Sequence, residues 1–178
     1  DVAMMDGCVP FNSLDGASFL VSGEEPKREG ERLNGGCMYD FYETKDGRYM
    51  SVGSLEPKFW KDFCMAIGRE DLIEGTVWPE NVDEVKAEIR GIFKTKTMDE
   101  WVEVFSKYDA CVQPVLNLKE ALLEDEQVKD RKMVVDVDLP LHDGVKVKQL
   151  ATSIKLSECP CEYKFAGYPV GYHTKEII

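Results

Sequence analysis

Apolar residues along the chain recur at three kinds of spacing, and each predicts a different element. Val2, Met4, Met5, Cys8, Phe11, Leu14, Phe19 and Leu20 come close to helical spacing, but Gly7, Pro10 and Gly16 interrupt them. This predicts a helix followed by an irregular apolar arm. Residues 22–32 are charged and glycine-containing, an exposed linker, and a new folding unit is expected to begin near Leu33. Tyr39–Thr44 and Tyr49–Val52 are β-favouring runs on either side of Lys45-Asp46-Gly47-Arg48, and an Asp-Gly pair in that place predicts a hairpin.

Three helical stripes come next. Phe59, Trp60, Phe63, Cys64 and Ile67 form the first, started by Glu56-Pro57 and stopped by Gly68. Val82, Val85, Ile89, Ile92 and Phe93 form the second, behind a capping-box pattern at Asn81–Glu84. Met98, Trp101, Val102, Phe105 and Tyr108 form the third, behind a second such pattern at Thr97–Glu100. Cys111–Leu116 is short, apolar and carries Pro114, which suits an edge strand or an extended connector. A short helix is expected at Leu118–Glu124, and two strands at Val134–Leu139 and Val145–Leu150 around the turn His142-Asp143-Gly144. The pattern is that of an α+β small domain over residues 34–127, with extensions at 1–33 and 128–178.

Composition narrows the possible functions. A net charge of −12 opposes broad contact with a phosphate backbone, so nucleic acid is not expected as a partner. No apolar stretch is long enough to span a bilayer and no signal-peptide pattern is present, which places the protein in the cytoplasm and away from membranes. The start at Asp1, running straight into an apolar segment, reads as a cut within a larger protein. The six cysteines match neither zinc-ligand nor secreted-framework spacing; Cys159 and Cys161 are the one close pair.

The stretch Val52-Gly53-Ser54-Leu55-Glu56-Pro57 places a carboxylate where a strand hands over to a helix. Glu56 has two readings there. It can cap the helix N-terminus, or it can hold a catalytic imidazole in one tautomer and stabilise its charged form.

Gly35-Gly36 and Tyr42 through Phe59 resemble the small-domain signature of α-methylacyl-CoA racemases, within the family that also contains the class III CoA-transferases. Asp109–Leu116 and Pro169–Thr174 are similar to two further blocks of that family, and Asp1–Gly7 resembles a helix of its large domain. The resemblance implies a missing α/β large domain that carries CoA, an acyl-CoA substrate with no other cofactor and no metal, and a homodimer interlocked like links of a chain. In the racemase branch a His and an Asp of the large domain exchange the α-proton, and the acid matching Glu56 pairs with that His. Neither partner has a counterpart in this sequence, so the 178 residues alone are expected to be inactive.

Tyr39, Gly53 and Leu55 fall where the resemblance puts the acyl pocket. Tyr39 can equally be a packed hairpin aromatic. The transferase branch carries a glycine-rich loop near this strand end, and Gly53-Ser54-Leu55-Glu56 has no glycine run, which favours the racemase type. His173 falls in the closing block, where it reads as structural, and His142 reads as a solvated turn residue. Cys37 and Met38 read as packing residues. Lys94, Lys96, Lys146 and Lys148 are candidates for CoA phosphates, but none is assigned to that role. Three functions stay open: an epimerase of 2-methylacyl-CoA, a CoA-transferase, or a non-catalytic assembly fragment.

Overall fold

The structure is a computed structural model that describes residues 1–31, 33 and 35–178. Asn34, which opens the predicted small domain, and Arg32 of the linker lie outside the described residues. Two compact units are formed, Asp1–Val115 and Leu116–Ile178. The architecture is α+β, with small antiparallel sheets and several helices.

In the first unit, β1 (Asp40–Glu43) and β2 (Tyr49–Val52) form the expected hairpin, with Asp40 opposite Val52 and Glu43 opposite Tyr49. Thr44 N–H donates to the Arg48 carbonyl at 2.8 Å, and Gly47 takes the left-handed conformation that closes such a loop (φ 73°). The hairpin tip also docks on distant chain. The Asp46 carboxylate accepts from Thr44 Oγ1 and from Met98 N–H, and Lys45 N–H donates to the Lys96 carbonyl. β3 (Val112–Pro114) pairs antiparallel with β2, giving the order β1-β2-β3. Pro114 therefore sits on an edge strand, as its missing N–H requires.

Helices α3 (Pro57–Ile67), α4 (Val82–Phe93) and α5 (Met98–Phe105) supply most of the rest of the core, with Met38, Val77 and Ala110 from connecting segments. Phe93 is its centre: its ring lies 5.0 Å from Tyr42 and 4.9 Å from Trp101, and it also stacks with Phe63 and Phe105. The buried polar tips are satisfied. Trp101 Nε1 donates to the Phe93 carbonyl, Trp60 Nε1 to the Leu72 carbonyl, and Tyr42 Oη to the Met38 carbonyl.

The local expectations meet different outcomes. The Thr97–Glu100 capping box forms in full. Asn81 is the N-cap of α4, but its side chain makes no cap hydrogen bond and instead donates to Glu84. Val102 lies on the outer side of α5, because Met98, Trp101 and Phe105 already fill the inward stripe. Lys86, on α4, is buried. Its ammonium sits 2.6 Å from Asp40 and 2.8 Å from the Gly35 carbonyl.

The N-terminal arm is more helical than the glycines and proline suggest. It contains α1 (Met4–Cys8), a 3-10 turn at Val9–Asn12 and α2 (Ser13–Ser22). Pro10 occupies the first turn of the 3-10 segment, where a missing N–H costs nothing. No residue of these three segments is buried, and Phe11 and Val21 are each 91% exposed.

In the second unit, β4 (Val134–Asp138) and β5 (Lys146–Leu150) form the expected antiparallel pair. The helix expected at 118–124 is a π-helical segment, Glu120–Glu124, started by reciprocal hydrogen bonds between Asn117 and Glu120. A further short helix, α6 (Glu126–Asp130), follows with Asp125 as its cap; the apolar pattern there is too sparse to announce it. A last turn, α7 (Thr174–Ile177), comes near the end of the chain.

Candidate functional site

The turn from β2 into α3 is held by chain that arrives from fifty-odd residues later, next to β3. Gly53 N–H donates to the Cys111 carbonyl at 2.9 Å, and Leu55 N–H closes a tight turn onto the Gly53 carbonyl at 2.9 Å. Ser54 is buried, and its hydroxyl donates to the Ala110 carbonyl. Cys111 itself has φ 50°, an uncommon conformation for a side chain other than glycine, Asn or Asp.

Glu56 follows directly as the N-cap of α3. Its backbone is extended (φ −78°, ψ 147°) and its carbonyl accepts from Trp60 N–H, but its side chain makes no cap hydrogen bond. The carboxylate is exposed. It stands at the positive end of an eleven-residue helix, within electrostatic reach of Cys111. Burial holds the Cys111 thiol above its ordinary pKa, and the charges of Asp109 and Glu56 push it the same way against Lys58. This keeps Cys111 a thiol and not a nucleophilic thiolate at neutral pH. Lys58 is paired with Asp109 and lies 5.2 Å over the Phe59 ring.

Tyr39 and Gly53 are brought together. A Cβ built on Gly53 would lie 3.5 Å from Tyr39 Cε2 and 3.4 Å from the Cys111 carbonyl oxygen, so the Tyr39 ring and the backbone just before β3 both pack beside Gly53 at ordinary contact distance. Leu55 packs on the edge of the core and lines a cavity of about 670 Å³ with Leu14, Leu33 and the carboxylates Asp15, Glu24 and Glu31. That acidic lining is unsuited to CoA phosphates.

Tyr39 is placed by the segment just before it. A Cβ on Gly36 would fall 2.2 Å from the Gly30 carbonyl oxygen, so only glycine lets the linker pass this close. Gly36 N–H donates to the Glu31 carbonyl and Met38 N–H to the Val77 carbonyl. Cys37 and Met38 are both buried, in keeping with a packing role.

The remaining candidates are engaged elsewhere. Lys94 pairs with Glu43, Lys146 with Asp138 and Lys148 with Asp136, and Lys96 lies 4.5 Å over the Trp101 ring. His142 is an exposed turn residue. His173 packs edge-on against Tyr168 and Tyr172 in the second unit. Ser54 and the Cys111 turn were not legible as site residues, because their contact joins positions 56 apart in sequence without a local motif. Among the described residues no helix is long and apolar enough to cross a membrane.

Comparison with known proteins identifies the family and the fold. The chain is 32% identical over its whole length to the α-methylacyl-CoA racemase of Homo sapiens, covering 46% of that protein. It is 27% identical to an acyl-CoA transferase of Fusarium pseudograminearum, over 92% of this chain and 37% of that one. In fold it matches the crystal structure of Rv3272 from Mycobacterium tuberculosis with a TM-score of 0.70, at 20% identity, over 98% of this chain and 46% of the other. The chain thus spans less than half the length of these relatives. The sequence signature of CoA-transferase family III extends over residues 1–174, and the chain belongs to that family.

Proposed function

We propose that the complete protein is an acyl-CoA enzyme that epimerises 2-methylacyl-CoA thioesters, and that Glu56 orients the base that moves the proton. The observation that carries this reading is the uncommitted carboxylate of Glu56. Had it served only as a helix cap, its oxygen would accept from an N–H of the first turn of α3, and it does not. A carboxylate left exposed at a rigid turn is available to a partner outside this chain.

The chemistry is proton removal and return. A base takes the α-proton, the C–H electron pair moves into the thioester carbonyl as an enolate, and a second acid returns a proton to the opposite face. In this reading both proton-transfer groups come from the part of the protein that precedes residue 1, and Glu56 holds the partner imidazole in its reactive tautomer. Tyr39 and Gly53 shape the wall beside it, and Leu55 contributes apolar surface. The substrate supplies the CoA and no further cofactor is required. The protein works as an interlocked homodimer in the cytoplasm, and residues 1–178 by themselves are inactive.

The second reading, a CoA-transferase, is favoured by the likeness to the Fusarium protein named an acyl-CoA transferase. One experiment separates the two. The full-length parent is incubated with 2-methylacyl-CoA in deuterated water, with and without a carboxylic acid acceptor, and α-deuterium is followed by mass spectrometry. Deuterium uptake without acceptor supports epimerisation. Acyl exchange that needs the acceptor, without deuterium uptake, supports transfer. Glu56→Gln is expected to lower turnover far more than substrate affinity, and an unchanged turnover number removes Glu56 from the mechanism.

A further inference from the structure

We infer that Ser54, with the left-handed turn at Cys111, forms a clasp that fixes the backbone carrying Glu56, which makes Ser54 a positioning residue for the reaction. The inference rests on the reading that Glu56 acts in catalysis. Two consecutive carbonyls, those of Ala110 and Cys111, accept from consecutive residues of the turn, Ser54 Oγ and Gly53 N–H. In an extended strand successive carbonyls point in opposite directions, so one strand cannot offer both to the same turn. The torsions that relate these two carbonyls are φ and ψ of Cys111. A φ of 50° takes that residue out of the extended region, and the strained conformation is thereby accounted for.

The Ser54 hydroxyl is spent in the clasp. The residue is 3% exposed and its hydroxyl proton goes to the Ala110 carbonyl, so it is not offered to a substrate. With Leu55 N–H bonded to the Gly53 carbonyl, three hydrogen bonds lock residues 53–55, and Glu56 is the next residue. The exposed carboxylate is therefore mobile only about its own side-chain torsions. A small displacement of such a group from its reactive geometry is costly to rate and nearly silent in binding.

The test uses Ser54→Ala and Glu56→Gln, singly and together, in the full-length parent. Ser54→Ala is expected to lower kcat roughly tenfold and to change KM by less than about twofold. In the Glu56→Gln background the same substitution is expected to lower kcat by less than about twofold, since it acts through Glu56. In the 178-residue chain, Ser54→Ala is expected to speed amide exchange at Gly53 and Leu55 about tenfold, with the Trp101 amide unchanged. Ser54→Cys, which keeps a weaker donor, is expected to fall between wild type and Ser54→Ala, and it serves if the alanine variant fails to fold. An unchanged kcat in Ser54→Ala overturns the inference, as does an equal loss in both backgrounds. If Glu56→Gln alone leaves turnover unchanged, the functional reading fails first, the positioning role fails with it, and exchange at Gly53 then decides whether the clasp exists.

Discussion

Asp40→Asn is expected to destabilise the first unit by about 3 kcal/mol. The Lys86 side chain is 3% exposed, and its ammonium has two partners, Asp40 at 2.6 Å and the Gly35 carbonyl at 2.8 Å. Removing one member of a buried ion pair costs ~3–5 kcal/mol, because the other charge stays behind without compensation. The lower end applies here. The Asp40 side chain is 23% exposed, and the asparagine oxygen can still accept one hydrogen bond from Lys86. Arg90, the other cation on Asp40, is half exposed and can turn to solvent.

Urea unfolding of the 178-residue chain, followed by the fluorescence of the buried Trp60 and Trp101, measures the effect. With a slope of about 2 kcal/mol per molar urea, the midpoint should fall by about 1.5 M. The neighbouring pair Lys94–Glu43 is the internal comparison, since both side chains are about half exposed and Glu43→Gln should cost less than ~1 kcal/mol. A midpoint shift in Asp40→Asn of under about 0.3 M would mean that the Lys86–Asp40 pair contributes no more than an exposed one.

The pH dependence has a definite sign. Burial raises the Asp40 pKa, but the hydrogen bonds from Lys86 and Phe41 N–H and the charges of Lys86 and Arg90 outweigh it, and the net shift is downward. A carboxyl with a depressed folded-state pKa contributes stability above its ordinary value of about 3.9 and loses it as pH falls through the lower folded value. The gap between wild type and Asp40→Asn should therefore be full at neutral pH and close only in strong acid.

Two further perturbations test the core and the linker. Phe93→Ala, which empties the centre of the aromatic cluster, is expected to cost ~3–5 kcal/mol in urea or thermal unfolding; a loss below about 1.5 kcal/mol means that the neighbouring rings collapse into the space. Gly36→Ala forces the backbone near Gly30 to move and is expected to raise proteolytic cleavage in residues 22–36, with β1 and β2 still folded; an unaltered digestion pattern argues against the close approach.

Elements with a strong period were legible in the sequence, and long-range devices were not. The stripes of α3, α4 and α5, the Asp-Gly hairpin and the Thr97 cap depend on neighbours within a few residues. Lys86 was hidden because a lysine in an amphipathic pattern counts as solvent-facing, and its burial depends on Asp40, 46 positions earlier. Asn81 carries the right residue type for a cap but bonds Glu84 instead, which composition alone does not distinguish. At the candidate site, the strand-to-helix position of Glu56 was readable from Gly53 and Pro57. The Ser54–Ala110 bond and the Cys111 turn depend on how β3 returns beside β2, and no local pattern carries that information.

The bare arm at residues 2–21 bears on how the 178-residue chain behaves as a colloid. Like molecules of net charge −12 repel one another, and that repulsion is long-ranged in dilute buffer. Added salt shortens its reach to about 10 Å at 0.1 M, while the attraction between apolar helix faces is left intact. Phe11, Leu20 and Val21 are then free to meet their counterparts on another chain. Solutions of this chain should accordingly disperse best at low ionic strength and associate as salt rises, the reverse of what charge-driven assembly would give.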